Sequence, residues 1–264
     1  MITPAAADCM PLPASPSLLP CVLALDTATE RLAVALQAPG GPWHLDAEGG
    51  AAASATLLPQ VKSLLAQAGL GWQGLQHIAY GQGPGAFTGL RTACAVAQGL
   101  AYGLHLRLLP IDSLLIVAED ARGQSDVVAD ESWAVAVAMD ARMDEIYGAL
   151  YHWQAGCWQV LRAPALYTLP AWQAVCLAQP VQAVAGSAWA AFGERLRRPE
   201  GTDAWLHESS RAAALLRLAV QAAARGEGSD PAEALPLYLR DKVAQTTAER
   251  EAVRAAAGVP APSP

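Results

Sequence analysis

The alternation of apolar and polar positions divides the chain into strands and helices before any chemistry is considered. Cys21-Val22-Leu23-Ala24-Leu25 is a continuous apolar run of strand length, closed by the turn Asp26-Thr27-Ala28-Thr29-Glu30. Arg31 to Leu36 forms a second strand, and Pro39-Gly40-Gly41-Pro42 turns the chain toward a third at Trp43 to Asp46. From Ser54 to Ala68, the residues Leu57, Leu58, Val61, Leu64, Leu65 and Ala68 make one stripe at helical spacing. Pro59 interrupts it, so the helix either starts near Leu58 or is kinked there. His77-Ile78-Ala79-Tyr80 reads as a buried strand, Phe87 to Leu104 as a helix, and Leu106 to Leu109 as the strand that ends the first half.

The second half repeats the theme. A helix over Asp112–Ala121 and a polar loop over Arg122–Asp130 lead into a buried strand, Trp133–Met139. That strand ends in Asp140-Ala141-Arg142-Met143-Asp144-Glu145, and strands follow at Ile146–His152 and Cys157–Leu161. Strand, Asp-containing turn, strand thus occurs twice, which points to an internal duplication. A helix (Pro170–Leu177), a strand (Val181–Ala185), a second helix (Ser187–Leu196) and a strongly amphipathic helix (Ser210–Arg225) come next, then an extended run over Asp230–Leu239. Met1 to Pro20 carries five prolines and no basic segment, so it reads as a disordered extension rather than a secretory signal; Ala252–Pro264 reads as a disordered tail.

Between the strand at His77 and the helix to Leu104 lies Gly81-Gln82-Gly83-Pro84-Gly85-Ala86-Phe87-Thr88-Gly89-Leu90-Arg91. Glycines at a strand-to-helix turn permit positive φ and close backbone approach. Amides that open a helix can also bind an anion, so the spacing allows a phosphate cradle as well as a plain tight turn. Arg91 follows Leu90 where a phosphate-binding loop would place Lys and then Ser or Thr, which argues against the cradle. In the helix that follows, Ala93, Ala97 and Ala101 line one side and Gly99 and Gly103 thin the other. Small residues at this spacing suit either a helix central to its own domain or one that meets another subunit.

Composition narrows the functional classes. The 264 residues are 53% hydrophobic, yet no run of eighteen apolar residues is free of Gly, Pro or charge, so a membrane span is not expected. A net charge of −7 without a Lys/Arg block makes a poor nucleic-acid binder, because that affinity rests on neutralising phosphates. Cys9, Cys21, Cys94, Cys157 and Cys176 are scattered and mark neither a disulfide framework nor a zinc site, which makes the cytoplasm the default. His44, His77, His105, His152 and His207 stand far apart in sequence.

Two halves that each open with a hairpin turned by an Asp-containing loop resemble the actin/Hsp70/sugar-kinase (ASKHA) fold. This is an α/β fold of two related subdomains, each with a mixed sheet flanked by helices. Leu23-Ala24-Leu25-Asp26-Thr27-Ala28-Thr29, the glycine stretch Ala79–Arg91, Met139-Asp140-Ala141-Arg142-Met143-Asp144-Glu145-Ile146-Tyr147 and Pro236-Leu237-Tyr238-Leu239-Arg240 together resemble the TsaB (YeaZ) family. The resemblance runs from about Cys21 to Val243. Within it we expect a first subdomain over 21–110 and a second over 111–240, flanked by a disordered extension over 1–20 and a flexible tail over 241–264.

That family implies a partner more than an active site. Its members belong to the bacterial complex that makes threonylcarbamoyl-adenosine next to the tRNA anticodon, in which a TsaD subunit transfers the threonylcarbamoyl group. A TsaE P-loop ATPase joins them, and tRNA is met only through the complex. The sequence leaves open whether the chain pairs with itself as a homodimer when the partner is absent, an arrangement that would cover an apolar helical surface. Carried onto this chain, the pairing helices are Ser54–Ala68 and Phe87–Leu104. The interface residues are then Leu57, Leu58, Val61 and Leu65 on the first, and Leu90, Ala93, Ala97, Leu100, Ala101 and Leu104 on the second. The turn that launches the second helix is carried by Gly83, Pro84, Gly85, Phe87, Thr88, Gly89 and Arg91. Ala53-Ser54 stands where the family often has His-Ser, and Ser54 remains a candidate N-cap.

The residues themselves argue against catalysis. The turn at Asp26–Glu30 has no glycine through which a backbone could hug phosphate, and Val184-Ala185-Gly186-Ser187-Ala188-Trp189 keeps a single glycine beside bulky Trp189. Ala51 to Ala68 contains no histidine pair for a metal. No cofactor or metal is therefore expected. Asp26 and Asp140 read as remnants of a nucleotide site, or as turn residues that bond local backbone amides. The alternatives to a non-catalytic scaffold are an ATP-dependent small-molecule kinase of the same fold and a metallopeptidase.

Overall fold

A computed structural model describes residues 19–128 and 131–240. Most of the Pro-rich extension and all of the expected tail lie outside the described residues. The first sheet is built from β1 (Val22–Asp26), β2 (Arg31–Ala38), β3 (Gly41–Glu48), β4 (His77–Gly83) and β5 (Arg107–Asp112), in the order β3-β2-β1-β4-β5. The second uses β6 (Trp133–Asp140), β7 (Glu145–Gln154), β8 (Cys157–Thr168), β9 (Ala183–Ala185) and β10 (Asp203–Trp205), in the order β10-β9-β6-β7-β8. In the first, β1–β2 and β2–β3 are antiparallel and β1–β4 and β4–β5 parallel. The second has the same pattern: β6–β7 and β7–β8 antiparallel, β6–β9 and β9–β10 parallel. The duplication legible in the hairpins thus extends to every strand of both sheets.

Among the described residues there are six α-helices: α1 (Ala53–Gln67), α2 (Phe87–Leu104), α3 (Ser113–Gln124), α4 (Leu169–Ala178), α5 (Ala188–Phe192) and α6 (Arg211–Ala224). They and the two sheets form alternating layers. One face of the first sheet presents large side chains, Leu23, Leu25, Val34 and Ile78, to α1 and α2. Its other face presents Ala24, Ala33, Ala35 and Ala79, and the small side chains let α6 pack closely through Ala212, Leu215, Ala219 and Ala222. Helix α3 shares both cores, with Ile116 on the α6 side and Leu114, Val117 and Ala121 under Val135 and Val137 of the second sheet. Trp172 of α4 and Trp189 of α5 close the far face of that sheet.

Three expectations change. Helix α1 does not start near Leu58; it runs from Ala53 with Pro59 inside it, following directly on a 3-10 turn at Gly50–Ala52. For the same reason Ser54 is not its cap: Ala52 holds that position and no side chain bonds the first amides. Within the segment 111–240, α6 returns to pack on the first sheet, so the boundaries 21–110 and 111–240, which remain our proposal for the two units, do not separate the cores cleanly.

Candidate functional site

A cleft of about 550 Å³ opens between the two halves. On one wall stand Ala28, Thr29 and Glu30 with the start of α2, and on the other Met139 to Met143 with Ser187. Its floor holds Ser113 and Arg211, and Leu237 to Arg240 run along its mouth. The two turns expected to matter, after β1 and after β6, therefore face each other. Both aspartates bond the backbone two residues on: Ala28 N–H donates to Asp26 Oδ1 (2.9 Å) and Arg142 N–H to Asp140 Oδ1 (2.8 Å).

The glycine turn is filled by the chain itself. Ala86 N–H donates to the Ala28 carbonyl (2.7 Å), and Thr27 Oγ1 donates to the Gly89 carbonyl (2.7 Å). A Cβ on Gly89 would collide with the Thr27 carbonyl, and one on Gly81 with the Asp26 carboxylate. Gly83 N–H is taken by Ser113 Oγ (3.0 Å), and Gly83 precedes Pro84 through a cis bond. These glycines give room to the β1–β2 turn. Arg91 lies over the Phe87 ring (3.8 Å) and donates to Tyr238 Oη (3.0 Å), so with Thr88 exposed beside it the motif ends on the surface.

Arg211, the first residue of α6, occupies the floor. Its Nε donates to Asp26 Oδ1 (2.9 Å) and its Nη1 to Glu208 Oε2 (2.8 Å), with the guanidinium 1% exposed. Burial works against its charge, but the Asp26 and Glu208 carboxylates outweigh that and raise its pKa. Burial likewise pushes the Glu208 carboxyl up, against the pull of Arg211. The α6 N-terminus that aims Arg211 is fixed from three sides. Ser210 Oγ accepts from Ala213 N–H (3.2 Å), Asp46 Oδ1 from Ala212 N–H (3.1 Å), and Asp120 from Ser209 and Ser210 N–H (2.8 Å each). Asp26 Oδ2 is buried without a hydrogen bond.

Behind the cleft the halves are tied firmly. Asp112 caps α3 through Leu114 N–H (2.8 Å) and receives Tyr151 Oη from the second sheet (2.5 Å). Burial raises the Asp112 carboxyl to about 6, although these hydrogen bonds and Arg211 favour its ionised form. Glu119 on α3 gathers Arg122 (2.8 Å), Arg217 of α6 (2.5 Å) and Trp158 of β8 (2.9 Å). None of Arg211, Glu208, Asp112 or Tyr151 stands out in the sequence. Arg211 did leave one sign: it lies four and seven residues before Leu215 and Leu218, on the apolar face of its helix.

The expected interface residues separate into two groups. Leu57, Val61, Leu65, Leu90, Ala93, Ala97 and Ala101 are buried in their own half, and Leu100 and Leu104 pack partly against the same core. The alanine stripe therefore serves the first subdomain, because α2 needs a small face to lie close on its sheet. What reaches the surface is the opposite face. There Tyr102 is 72% exposed, Ala95 is exposed, and among the described residues nothing lies within 4 Å of a Cβ placed on Gly99 or Gly103; on α1, Leu58 is 40% exposed. Among the described residues no group of three or more His, Cys, Asp or Glu could hold a metal ion, and no helix is long and apolar enough to cross a membrane. Cys21, Cys94 and Cys176 are free thiols.

Comparison with known proteins places this geometry. The sequence model of a family described as TsaD, tRNA N6-adenosine threonylcarbamoyltransferase, matches residues 50–175. The tRNA threonylcarbamoyladenosine biosynthesis protein TsaB of Haemophilus influenzae is 38% identical over 126 residues, 48% of this chain and 51% of that protein. Its Escherichia coli namesake is 35% identical over 133 residues, 49% and 54% of the two chains. The chain thus spans about half the length of the curated relatives it matches. A solved structure of YeaZ from Pseudomonas aeruginosa is 37% identical and superimposes with a TM-score of 0.72, covering 84% of this chain and all of that one. Another, an uncharacterized protein with similarity to peptidase YEAZ from the same organism, is 36% identical with a TM-score of 0.74 over the same shares. With its two matching mixed sheets, each flanked by helices, the chain has the two-subdomain ASKHA-like fold and belongs to the TsaB (YeaZ) family.

Proposed function

We propose that this chain is a non-catalytic subunit that supports transfer of a threonylcarbamoyl group to the adenosine next to the tRNA anticodon. The observation that carries this reading is the occupied cleft. The β1–β2 turn takes up the amide that a phosphate would need, and Arg211 sits as a fixed cation against Asp26 where a metal–nucleotide would have to compete with it. The relatives' names supply the pathway, threonylcarbamoyladenosine biosynthesis. A TsaD-like subunit would then carry the chemistry, with a TsaE-like P-loop ATPase in the same assembly and tRNA held by the complex in the cytoplasm. Titration of the isolated chain with Mg-ATP should give no heat; stoichiometric binding would favour the kinase reading instead.

The partner face we infer is the outer side of α1 and α2. Two glycines in the second half of an 18-residue helix cost roughly 1 kcal/mol each relative to Ala. Nothing among the described residues requires Gly99 or Gly103, since a Cβ there meets open space. Close approach of another helix would favour them, and Ala95 and Tyr102, at helical spacing from them, lie exposed on the same face. A homodimer through this face is expected when the partner is missing. Ala95→Glu and Tyr102→Glu should each leave the fold intact and abolish co-purification with the TsaD-like subunit. A complex that survives both substitutions would rule this face out.

A further inference from the structure

The segment that follows Asp230 crosses from one half of the molecule to the other. Its first part is anchored on β4 and α2. Gln98 Nε2 donates to the Pro231 carbonyl (2.7 Å), Gln82 Nε2 and Tyr80 Oη to the Leu235 carbonyl (3.1 and 3.3 Å), and Leu237 N–H to the Gln82 carbonyl (2.8 Å). Tyr238 then stacks on Phe87 at 4.7 Å between ring centroids. Its last described residue reaches the other wall of the cleft. Arg240 pairs with Glu145 (2.5 Å) and donates to the Ala141 and Arg142 carbonyls (3.0 and 3.2 Å).

The turn gripped in this way is strained. Arg142, Met143 and Asp144 have φ of 64°, 55° and 56°, three successive left-handed residues of which none is glycine. Such a run persists only where its surroundings over-determine it. Local bonds contribute: Ala141 N–H donates to the Glu145 carbonyl (2.9 Å) and Glu145 N–H to that of Arg142 (3.1 Å). Arg240 adds the contacts that come from the other half. The second ion pair across the mouth, Arg142 to Glu30 at 3.6 Å, has side chains 76% and 81% exposed and is too solvated to hold the walls together. Arg240 is 14% exposed.

We propose that residues 231–240 form a latch, in which Arg240 holds the strained turn at 142–144 and thereby keeps the cleft closed about the fixed hinge at Asp112–Tyr151 and Glu119. Release of Arg240 lets the turn relax and the mouth open. The latch needs no ligand and is independent of the pathway assigned above.

Amide hydrogen exchange on the full chain tests it through three windows: 27–30 and 85–89 on one wall, and 141–145 on the other. Arg240→Ala should accelerate exchange about tenfold or more in all three, although Arg240 touches only the last. Arg240→Lys, which keeps the charge, should return 27–30 and 85–89 to within about threefold of the parent rates. Acceleration confined to 141–145, unchanged rates in Arg240→Ala, or fast exchange that persists in Arg240→Lys would each overturn the latch.

Discussion

At Gly89 a hydrogen is all that fits, because the Thr27 carbonyl occupies the space of a methyl group; at Gly81 the Asp26 carboxylate does the same. Gly89→Ala should therefore cost about 3 kcal/mol in urea denaturation, as overpacking a rigid backbone contact does, and a loss near zero would show that the turn at 26–28 yields freely. Arg211→Met leaves the buried Asp26 and the half-buried Glu208 without their cation and should cost about 3–5 kcal/mol, with much of it recovered when Asp26→Asn is added. Asp112 gives a pH signature. Its carboxyl is raised from 3.8 to about 6 by burial, so its contribution is fully present below pH 3.8 and lost as pH rises through 6. The stability difference between the parent and Asp112→Asn should fall by about 2 kcal/mol between pH 4 and pH 7, measured by urea unfolding at each pH. The glycines and both turn aspartates were legible as a special site in the sequence. Arg211 was not, because an arginine opening a helix ordinarily faces water, and only the tertiary fold brings it 185 positions back to Asp26.

Elements with a strong period were the most legible. The apolar runs of β1, β4 and β6 and the stripe of α6 lie within two or three residues of their expected bounds. Strand β10, only three residues and paired with β9 alone, carries no alternation long enough to read. Periodicity places a stripe on a helix but does not say which side meets the core. In α2 both faces are small, and burial assigned the alanines inward and the glycines outward. This yields an opposed pair of effects at one residue. Gly99→Ala should stabilise the isolated chain by up to about 1 kcal/mol in thermal unfolding while weakening its association with the partner. If both stability and association rise, the outer face is not a close helix contact.

On the scale of the whole molecule, the duplicated hairpin in the sequence foretold two equivalent sheets, and the strand orders agree pair by pair. What the duplication could not foretell is how its central cleft is used. One copy contributes a buried aspartate paired to a helix from the far end of the chain, the other a strained turn held by Arg240. The cleft walls are thus occupied with holding the two halves, while the face we propose for the partner lies outside, on α1 and α2. Quantifying threonylcarbamoyl-adenosine in tRNA from cells whose only copy of this chain carries either Asp140→Asn or Tyr102→Glu separates the two. The account predicts near-normal modification with Asp140→Asn, which keeps the turn's oxygen acceptor but removes the cleft carboxylate, and loss to the level of depleted cells with Tyr102→Glu. Normal modification with Tyr102→Glu and loss with Asp140→Asn would contradict it.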